Sequence, residues 1–301
     1  MKVIKFIFKA IPFKRAIFSL FRRFQLPENL YQHLYFQGEF VCIIRPDESF
    51  IIMHWGNQVE NDLFWSGYGN NWEATSLRLW AWLCRDADYV FDIGANTGVF
   101  ALAAKAVKPT AKVFAYEPIS RVFDKLVQNV RLNSWDISTN LAAVSNKNDV
   151  VDIFDSDTEH VYSASLNPEL LLSRSRTPLV KRQVQALRID QVVAEELIPE
   201  NASLVVKIDV EMHELEVLEG FGAVINTHRP VFLVEILTEE LGAKILELFR
   251  SADYVFYAVN ERVDVKPVAV LGASGRNYLL SPSEHEIAAM LKKGLNHDEL
   301  Y

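Results

Sequence analysis

The spacing of hydrophobic and polar residues changes repeatedly after residue 86. Short hydrophobic runs, typical of buried strands, alternate with longer stretches in which hydrophobic residues recur every three or four positions, as in helices. A strand followed by a helix forms a βα unit, and successive units build a parallel sheet with helices on both faces. The predicted strands are Tyr89–Phe91, Lys112–Tyr116, Asn140–Val144, Leu204–Ile208 and Val231–Val234, and the predicted helices are Val99–Val107, Ile119–Asn133, Glu214–Ile225 and Leu241–Ser251.

Two further hydrophobic runs, Tyr254–Val259 and Arg276–Leu280, predict a closing pair of strands, the last of which runs antiparallel to the sheet. The chain is therefore predicted to be an α/β protein with a doubly wound, mostly parallel sheet. This domain is expected to cover residues 72–285, and a C-terminal tail covers residues 286–301.

Residues 150–189 interrupt the βα order. Val150–Phe154 and Val180–Leu187 alternate hydrophobic and polar residues as an antiparallel pair does, and a polar, serine-rich stretch separates them. We interpret this segment as a β insertion beside the opening through which the substrate enters.

The segment before the main domain, residues 25–71, is predicted to be rich in β-structure. Glu39–Ile44 and Ser49–His54 form a plausible hairpin around a turn that contains proline and aspartate. Trp72 and Glu73 then begin a helix that ends near Arg85, and this helix leads into the first strand of the sheet.

Residues 1–24 differ sharply in charge from the rest of the chain. Seven of the 31 basic residues and none of the 39 acidic residues lie here, so this arm carries +7 and the remainder −15. Its hydrophobic residues recur at helical spacing opposite the basic ones, as in a helix that lies on an anionic membrane. The same row of hydrophobic residues also suits docking on the acidic body of the protein. The arm is therefore predicted either to bind a membrane or to dock on the body. The recurrent charges exclude a spanning helix, and no apolar h-region of a secretory signal follows the lysines.

Composition narrows the classes of function. The chain has 301 residues, of which half are hydrophobic, so it can bury a full core. The net charge of −8 argues against nucleic acid as the main partner. Cys42 and Cys84 are too few for a disulfide framework or a four-thiolate metal site, which favours a reducing compartment. We expect a cytoplasmic protein, with contact to the inner membrane surface if the arm binds lipid.

The stretch from Tyr89 to Phe100 reads as a strand, a glycine turn and a helix. Asp92 stands at the end of the strand, and the turn runs from Gly94 to Gly98. Glycine lets backbone approach a ligand closely, and the unpaired N–H groups of a helix start favour acceptors, so a nucleotide-like cofactor is expected here. Asn96 occupies the middle position of this turn. Asparagine tolerates the left-handed backbone conformation, but the dinucleotide-binding fingerprint G-x-G-x-x-G requires glycine at that position.

Six short motifs in register resemble those of the FkbM-type methyltransferases, which use S-adenosylmethionine and are known for O-methylation of sugars and secondary metabolites. The resemblance implies a class I methyltransferase-like fold over roughly residues 72–280. One departure is that the family usually has glycine and then a small or aromatic residue where this chain has Met212 and His213. The motifs are W-E (72–73), F-D-I-G-A-N-T-G (91–98), Y-E-P (116–118), A-A-V-S (142–145), K-I-D-V-E with E-L-x-V-L-x-G (207–220) and V-E-I (234–236).

The predicted cofactor site combines this resemblance with chemistry. Glu117 follows the neighbouring strand, where a carboxylate can accept hydrogen bonds from both ribose hydroxyls. Asp92 and the backbone at Gly94 and Ala95 would face the methionine portion, and Ala143 is small enough for adenine to stack nearby. Glu73 either helps to close the pocket or only favours the helix dipole. The full predicted set is Glu73, Asp92, Gly94, Ala95, Asn96, Gly98, Glu117, Pro118, Ala143 and Asp209.

The predicted catalytic residues are Asp209, Glu211 and His213, which follow the fourth strand beside Glu214. Methyl transfer to a hydroxyl needs alignment and a base for the departing proton, and the unperturbed pKa of histidine, about 6.5, suits that base. His213 could equally be an ordinary surface histidine. Asp-x-Glu-x-His could also bind a divalent metal, but the family motif does not require one and no metal is expected.

The sequence thus predicts an O-methyltransferase whose acceptor is a hydroxyl of a small molecule, a sugar, or a glycan or glycolipid. The alternative is a catalytically silent cofactor-binding or regulatory protein on the same fold, which the altered residues Met212 and His213 suggest. A nucleic-acid methyltransferase is disfavoured by the acidic body and by the lack of an N-P-P-[YF] motif. The sequence does not give the oligomeric state.

Overall fold

A computed structural model describes residues 14–24, 26–155, 164–165, 180–261, 265–272 and 276–292. The predictions for the start of the arm, the serine-rich stretch of the insertion and the end of the tail lie outside these residues. The strands are Gly38–Arg45 (β1), Glu48–His54 (β2), Tyr89–Ile93 (β3), Lys112–Tyr116 (β4), Ile137–Asn140 (β5), Ala143–Val144 (β6), Asp149–Asp155 (β7), Ala164–Ser165 (β8), Val180–Leu187 (β9), Leu204–Ile208 (β10), Val231–Glu235 (β11), Tyr254–Val259 (β12), Val265–Pro267 (β13) and Asn277–Pro282 (β14).

The α-helices among the described residues include both long amphipathic helices and single turns. They are Lys14–Phe21 (α1), Glu28–Tyr31 (α2), Gln58–Ser66 (α3), Ala74–Cys84 (α4), Val99–Val107 (α5), Ser120–Asn133 (α6), Ile189–Glu195 (α7), Glu214–Glu219 (α8), Val224–Thr227 (α9), Glu239–Leu248 (α10) and Glu286–Lys292 (α11). A short 3₁₀ helix, Arg22–Phe24, follows α1.

The central sheet has the strand order β13-β12-β14-β11-β10-β3-β4-β5. The strands from β11 to β5 in this order are mutually parallel. β14 pairs antiparallel with both β11 and β12. The predicted α/β class, with a mostly parallel sheet and an antiparallel closing strand, is therefore confirmed.

Two hydrophobic cores lie on opposite faces of this sheet. Successive strand residues point to opposite faces, so β3 gives Val90 to one core and Phe91 to the other. The first core includes Leu77 of α4 and Leu102 of α5, and the second includes Val217 of α8. Helices thus cover both faces, as the βα order predicted.

The segment of residues 25–71 contains more helix than predicted. β1 and β2 form the expected antiparallel hairpin, but α2 and α3 flank it. α3 was not predicted because its polar residues Glu60, Asn61 and Asp62 are buried along with its hydrophobic ones, so the polar positions do not mark an exposed face. The hairpin packs on the main domain, where the Ile51 and Met53 N–H groups donate to the side chains of Asn133 (2.7 Å) and Asn129 (2.9 Å).

The arm docks on the body through helix α1. Phe18 is buried and its ring centroid lies 5.5 Å from that of Trp65. Leu20 and Phe21, on another face of the helix, are 59% and 47% exposed. Docking is thus observed for this helix, and contact with an anionic membrane stays a prediction. No helix within the described ranges is both long and apolar enough to cross a bilayer.

Two predicted elements have different limits in the structure. The predicted strand Asn140–Val144 is split: β5 ends at Asn140 in the central sheet, and β6 belongs to a second sheet of order β6-β9-β7-β8. In that sheet β7 and β9 form the predicted antiparallel pair. The helix expected over Glu214–Ile225 is divided into α8, which ends at Glu219, and α9, which begins at Val224, and Gly222 between them has φ +52. A Cβ on Gly220 would lie 2.1 Å from the Ser145 carbonyl oxygen, so glycine is required at that position.

The N-terminus of α4 is capped by a residue far away in the sequence. The Glu261 carboxylate accepts hydrogen bonds from the N–H groups of Thr75 (2.9 Å) and Ser76 (3.1 Å) and from the Ser76 hydroxyl (2.5 Å). It therefore supplies the acceptors that the first turn of a helix needs.

We expect Glu261→Ala to lower the free energy of unfolding by about 2–3 kcal/mol, because a charged cap and its hydrogen bonds are lost together. Equilibrium denaturation in urea measures this change. Glu240→Ala is the control, since Glu240 is exposed and forms a surface ion pair with Lys244, and this substitution should leave the free energy of unfolding nearly unchanged. Equal effects of the two substitutions would show that the cap does not stabilise α4.

Candidate active site

A cleft opens at the carboxyl ends of β3, β4 and β10. The strand order reverses at β3, since the chain continues to β4 on one side and later returns to β10 on the other, and ligands bind at such points in open α/β sheets. The cleft encloses about 1090 Å³, including space open to solvent. The predicted site residues that line it are Asp92, Gly94, Ala95, Asn96, Glu117, Pro118, Ala143, Asp209, Glu211 and His213.

Two predicted residues do not line the cleft. Gly98 has φ +92, and a Cβ there would lie 2.6 Å from the Leu126 side chain, so Gly98 is required by backbone geometry and by packing on α6. Glu73 precedes α4 with φ +42, and its carboxylate interacts with the Lys207 ammonium. Glu73 therefore acts on the predicted cofactor pocket indirectly, through Lys207.

Gly94 is needed for a reason other than the expected close approach of the backbone to a ligand. A Cβ on Gly94 would lie 1.9 Å from the backbone oxygen of Asp209, so glycine is needed where the turn meets the end of β10. The N–H groups of Gly94 and Ala95 both donate to the Tyr116 carbonyl, at 3.0 and 2.9 Å. They are therefore not available to the methionine portion of a cofactor. Asn96 has φ +51, which confirms the predicted left-handed conformation.

Glu117 is buried and held in place by backbone. Its Oε2 accepts a hydrogen bond from the Asn96 N–H (3.1 Å), and its Oε1 accepts one from the Ile119 N–H (2.9 Å). Burial raises the pKa of Glu117 to about 7, although these two N–H groups oppose the shift. Each carboxylate oxygen has a second lone pair. The carboxylate is thus fixed at the cleft wall with acceptor capacity for two hydroxyl groups.

Asp92 links the first strand to the following helix. It is buried, and its Oδ2 accepts a hydrogen bond from the Ala101 N–H (2.8 Å). Burial raises the pKa of Asp92 to about 7, and the nearby Lys207 ammonium opposes the shift. One oxygen of this predicted cofactor residue is therefore occupied in holding α5 against β3.

Lys207 is a functional candidate that the sequence reasoning missed. It is buried on β10, lines the cleft, and its Nζ lies 5.2 Å from the centroid of the Phe100 ring. Burial alone would lower its pKa, yet nearby carboxylates raise it above the usual value. A lone lysine in the hydrophobic run L-V-V-K-I was the available signal. The carboxylates around it are Asp209, Glu73, Glu235 and Asp92.

His213 lies at the cleft wall, and each of its two ring nitrogens contacts a polar side chain. Its Nε2 is 3.0 Å from the Ser145 Oγ, and its Nδ1 is 3.3 Å from the Glu216 Oε2. Burial lowers the pKa of His213, while Glu216 and Glu219 oppose the shift. The imidazole is therefore neutral at pH 7. Glu216, three residues further on in α8, is the carboxylate that contacts the imidazole.

The loop before α8 has an unusual backbone. Glu211 has φ +51 and Met212 has φ +76, a conformation that glycine adopts without steric cost. The family resemblance expects glycine at the position of Met212. The Glu214 Oε1 accepts hydrogen bonds from the N–H groups of Val210 (3.3 Å) and Met212 (3.2 Å). Glu214 therefore stabilises the loop that carries Glu211 and His213.

A metal site was the alternative for Asp209, Glu211 and His213. Within the parts of the chain that the structure describes, no group of three or more histidine, cysteine, aspartate or glutamate side chains is placed to hold a metal ion.

The family model described as Methyltransferase FkbM domain matches residues 92–256, which is just over half of the chain. Hexuronic acid methyltransferase AglP from Haloferax volcanii is 27% identical over 196 residues, which cover 61% of this chain and 75% of that protein.

Similar solved structures include methyltransferase FkbM from Methylobacillus flagellatus KT, with 15% identity and a TM-score of 0.41; the match covers 65% of this chain and 44% of that one. Aeropyrum pernix fibrillarin, solved with natively bound S-adenosyl-L-methionine, has 11% identity and a TM-score of 0.38, over 66% of this chain and 67% of that one.

Proposed function

The chain belongs to the FkbM methyltransferases, and from this premise we propose that it methylates a hydroxyl group of a sugar, either free or carried on a glycan. The protein is an S-adenosylmethionine-dependent methyltransferase. A sugar acceptor is supported by the relative named as a hexuronic acid methyltransferase. A hexuronic acid offers hydroxyl groups and a carboxylate, so the name of the relative does not fix the oxygen that is methylated.

The cleft residues fit the cofactor. Glu117 is positioned to accept hydrogen bonds from the two ribose hydroxyls, and Pro118 and Ala143 line the neighbouring wall, where a flat base can lie. Asp209 lies across the turn beside Gly94, at the methionine end. S-adenosylmethionine supplies a methyl group on a positively charged sulfonium. The chain itself orients the acceptor and accepts the proton of its hydroxyl.

The position of His213 is the observation that carries the choice of a hydroxyl acceptor, because its imidazole lines the cleft and its Nε2 lies 3.0 Å from a hydroxyl oxygen, the Ser145 Oγ. A hydroxyl must lose a proton when it is methylated, and a buried imidazole of lowered pKa can take that proton at pH 7. A carboxylate acceptor would need no base, and the Asp209 and Glu211 carboxyl groups at the same wall would repel it. The hydroxyl would replace the Ser145 Oγ as the partner of His213 Nε2.

Incubation with methyl-labelled S-adenosylmethionine and a panel of neutral sugars, hexuronic acids and oligosaccharides tests this proposal. We expect label in a methyl ether, which survives mild alkali. Label that mild alkali releases would indicate a methyl ester and a carboxylate acceptor. Cofactor binding without transfer to any sugar would favour the catalytically silent alternative.

We expect Glu117→Gln to weaken binding of S-adenosylhomocysteine by about 10- to 100-fold, since a hydrogen bond to a charged group contributes about 1.5–3 kcal/mol. Isothermal titration calorimetry measures the affinity. The amide keeps the size of the side chain, so the fold should survive. Asp124→Asn on the exposed side of α6 is the control and should leave the affinity unchanged. Unchanged affinity in a folded Glu117→Gln protein would refute the ribose assignment.

Cofactor affinity should rise with pH. In the free protein burial raises the pKa of both Asp92 and Glu117 to about 7, so at pH 5.5 both are largely protonated. A bound cation favours their ionised forms, and binding therefore releases protons. We expect S-adenosylmethionine to bind about three- to tenfold more tightly at pH 7 than at pH 5.5. Calorimetry in buffers of different ionisation enthalpy measures the proton release; affinity that is flat or falls over this range would contradict the assignment.

A further inference from the structure

A helix outside the matched family segment reaches the cofactor cleft. α3 lies more than 25 residues before residue 92, yet Val59 and Glu60 line the cleft together with Thr97 of the glycine turn. Hydrogen bonds fix this helix in place: the Asn61 Nδ2 donates to the Tyr31 carbonyl (3.0 Å), and the His54 ring lies 3.2 Å from the Asn61 Oδ1. The N-terminal segment is therefore a rigid part of the cleft wall.

The Glu60 carboxyl group on this helix is incompletely satisfied. The residue is fully buried, and its Oε1 accepts a hydrogen bond from the Asn57 Nδ2 (3.3 Å). Its Oε2 is buried without a hydrogen-bond partner among the described residues. Burial raises the pKa of Glu60 to about 7, while Asn57 and, more weakly, Lys125 and Thr97 oppose the shift. A buried acceptor without a donor is costly, so a site of this kind is expected to receive a donor from a ligand.

Three parts of S-adenosylmethionine carry N–H or O–H donors: the adenine, the ribose and the methionine ammonium. The ribose is assigned above to Glu117 and the adenine to the wall formed by Pro118 and Ala143, two residues that line the cleft. Glu60 instead lies near Thr97 of the glycine turn, just before α5 begins. The ammonium offers three donors and a positive charge, which suit a lone carboxylate oxygen.

We propose that Glu60 binds the ammonium group of the methionine portion of S-adenosylmethionine through its Oε2. Helix α3 then completes the cofactor site from outside the matched domain. The proposal concerns the cofactor alone, so it holds whichever oxygen of the acceptor is methylated.

Glu60→Gln tests the proposal when two ligands are compared by calorimetry. S-adenosylhomocysteine carries the ammonium, whereas 5′-methylthioadenosine has the same adenosine and sulfur without the amino acid. We expect the substitution to weaken S-adenosylhomocysteine about 10- to 100-fold and to change 5′-methylthioadenosine less than about twofold. Glutamine keeps an oxygen for Asn57, and binding of 5′-methylthioadenosine reports that the cleft of the variant is folded.

Asp62→Asn is the matched control on the same helix. Asp62 is also a buried acid, but it does not line the cleft and its Oδ1 accepts a hydrogen bond from the Asn71 Nδ2 (3.3 Å). This variant should bind both ligands as the unmodified protein does. Unchanged binding of S-adenosylhomocysteine by Glu60→Gln, or an equal loss for both ligands, would overturn the proposal.

Discussion

His213→Ala should lower the turnover number by about 10²- to 10⁴-fold, the range for loss of a general base, while cofactor affinity stays nearly unchanged. The imidazole lies at the cleft wall, its Nδ1 is oriented by Glu216, and its Nε2 faces the Ser145 hydroxyl rather than a charged group. Burial lowers its pKa, so the neutral form is present at pH 7. Turnover should fall only where His213 becomes protonated, at a pH below the ordinary range for histidine.

His213→Asn separates proton transfer from hydrogen bonding. Asparagine can still hydrogen-bond to Ser145 but cannot take a proton, so this variant should be almost as slow as His213→Ala. His228→Asn is the control, because His228 contacts Thr227 and the Ile198 carbonyl away from the cleft. Turnover is measured with labelled cofactor and the acceptor found in the sugar panel. Near-normal turnover in both His213 variants would transfer the base role to Asp209 or to solvent.

Lys207→Met should lower the free energy of unfolding by about 3–5 kcal/mol at pH 8, the cost of removing one partner from a buried group of charges. Burial raises the pKa of Asp92 and Glu235 to about 7 and that of Glu73 to about 8. At pH 8 Asp92 and Glu235 are mostly ionised and Glu73 is about half ionised, so the carboxylates repel one another once the ammonium is gone. At pH 5.5 they are protonated, so the cost of the substitution should be smaller there.

Lys105→Met is the control for this second prediction. Lys105 is also a buried lysine, but its Nζ donates to the Ala111 carbonyl (2.7 Å), and among the described residues Asp136 is the one carboxylate whose charge raises its pKa. It should cost about 1 kcal/mol, the usual contribution of one hydrogen bond, at both pH values. Urea denaturation of both variants and of the unmodified protein at pH 5.5 and at pH 8 gives the cost of each substitution at each pH. A cost for Lys207→Met that equals that of Lys105→Met and does not change with pH would contradict the electrostatic account.

The sequence predicted the parts of the fold in which one face of an element is buried and the other is not. The helix Ser120–Asn133 has such a pattern and occurs as predicted within a residue. The strand Lys112–Tyr116 was predicted from a different signal, a short hydrophobic run that is buried on both faces. α3 has no exposed face and was missed. The need for glycine at position 220 comes from the distant Ser145 carbonyl, which no local pattern contains.

The candidate site likewise contains features that the sequence predicted and features that it did not. The order of strand, acid and glycine turn places Asp92, Asn96 and Glu117 together because parallel strands end at one edge of the sheet. The contacts of individual groups depend on tertiary packing, so the roles of Gly94 and Lys207 were not predicted. Glu216 was within reach of sequence reasoning, since residues three apart on a helix are neighbours.

A structure of the protein with S-adenosylhomocysteine tests the central claim most directly. The account predicts the ribose hydroxyls within hydrogen-bond distance of the Glu117 carboxylate and the cofactor sulfur facing the space beside His213 and Asp209. A ribose bound away from Glu117, or a sulfur turned away from His213, would contradict it.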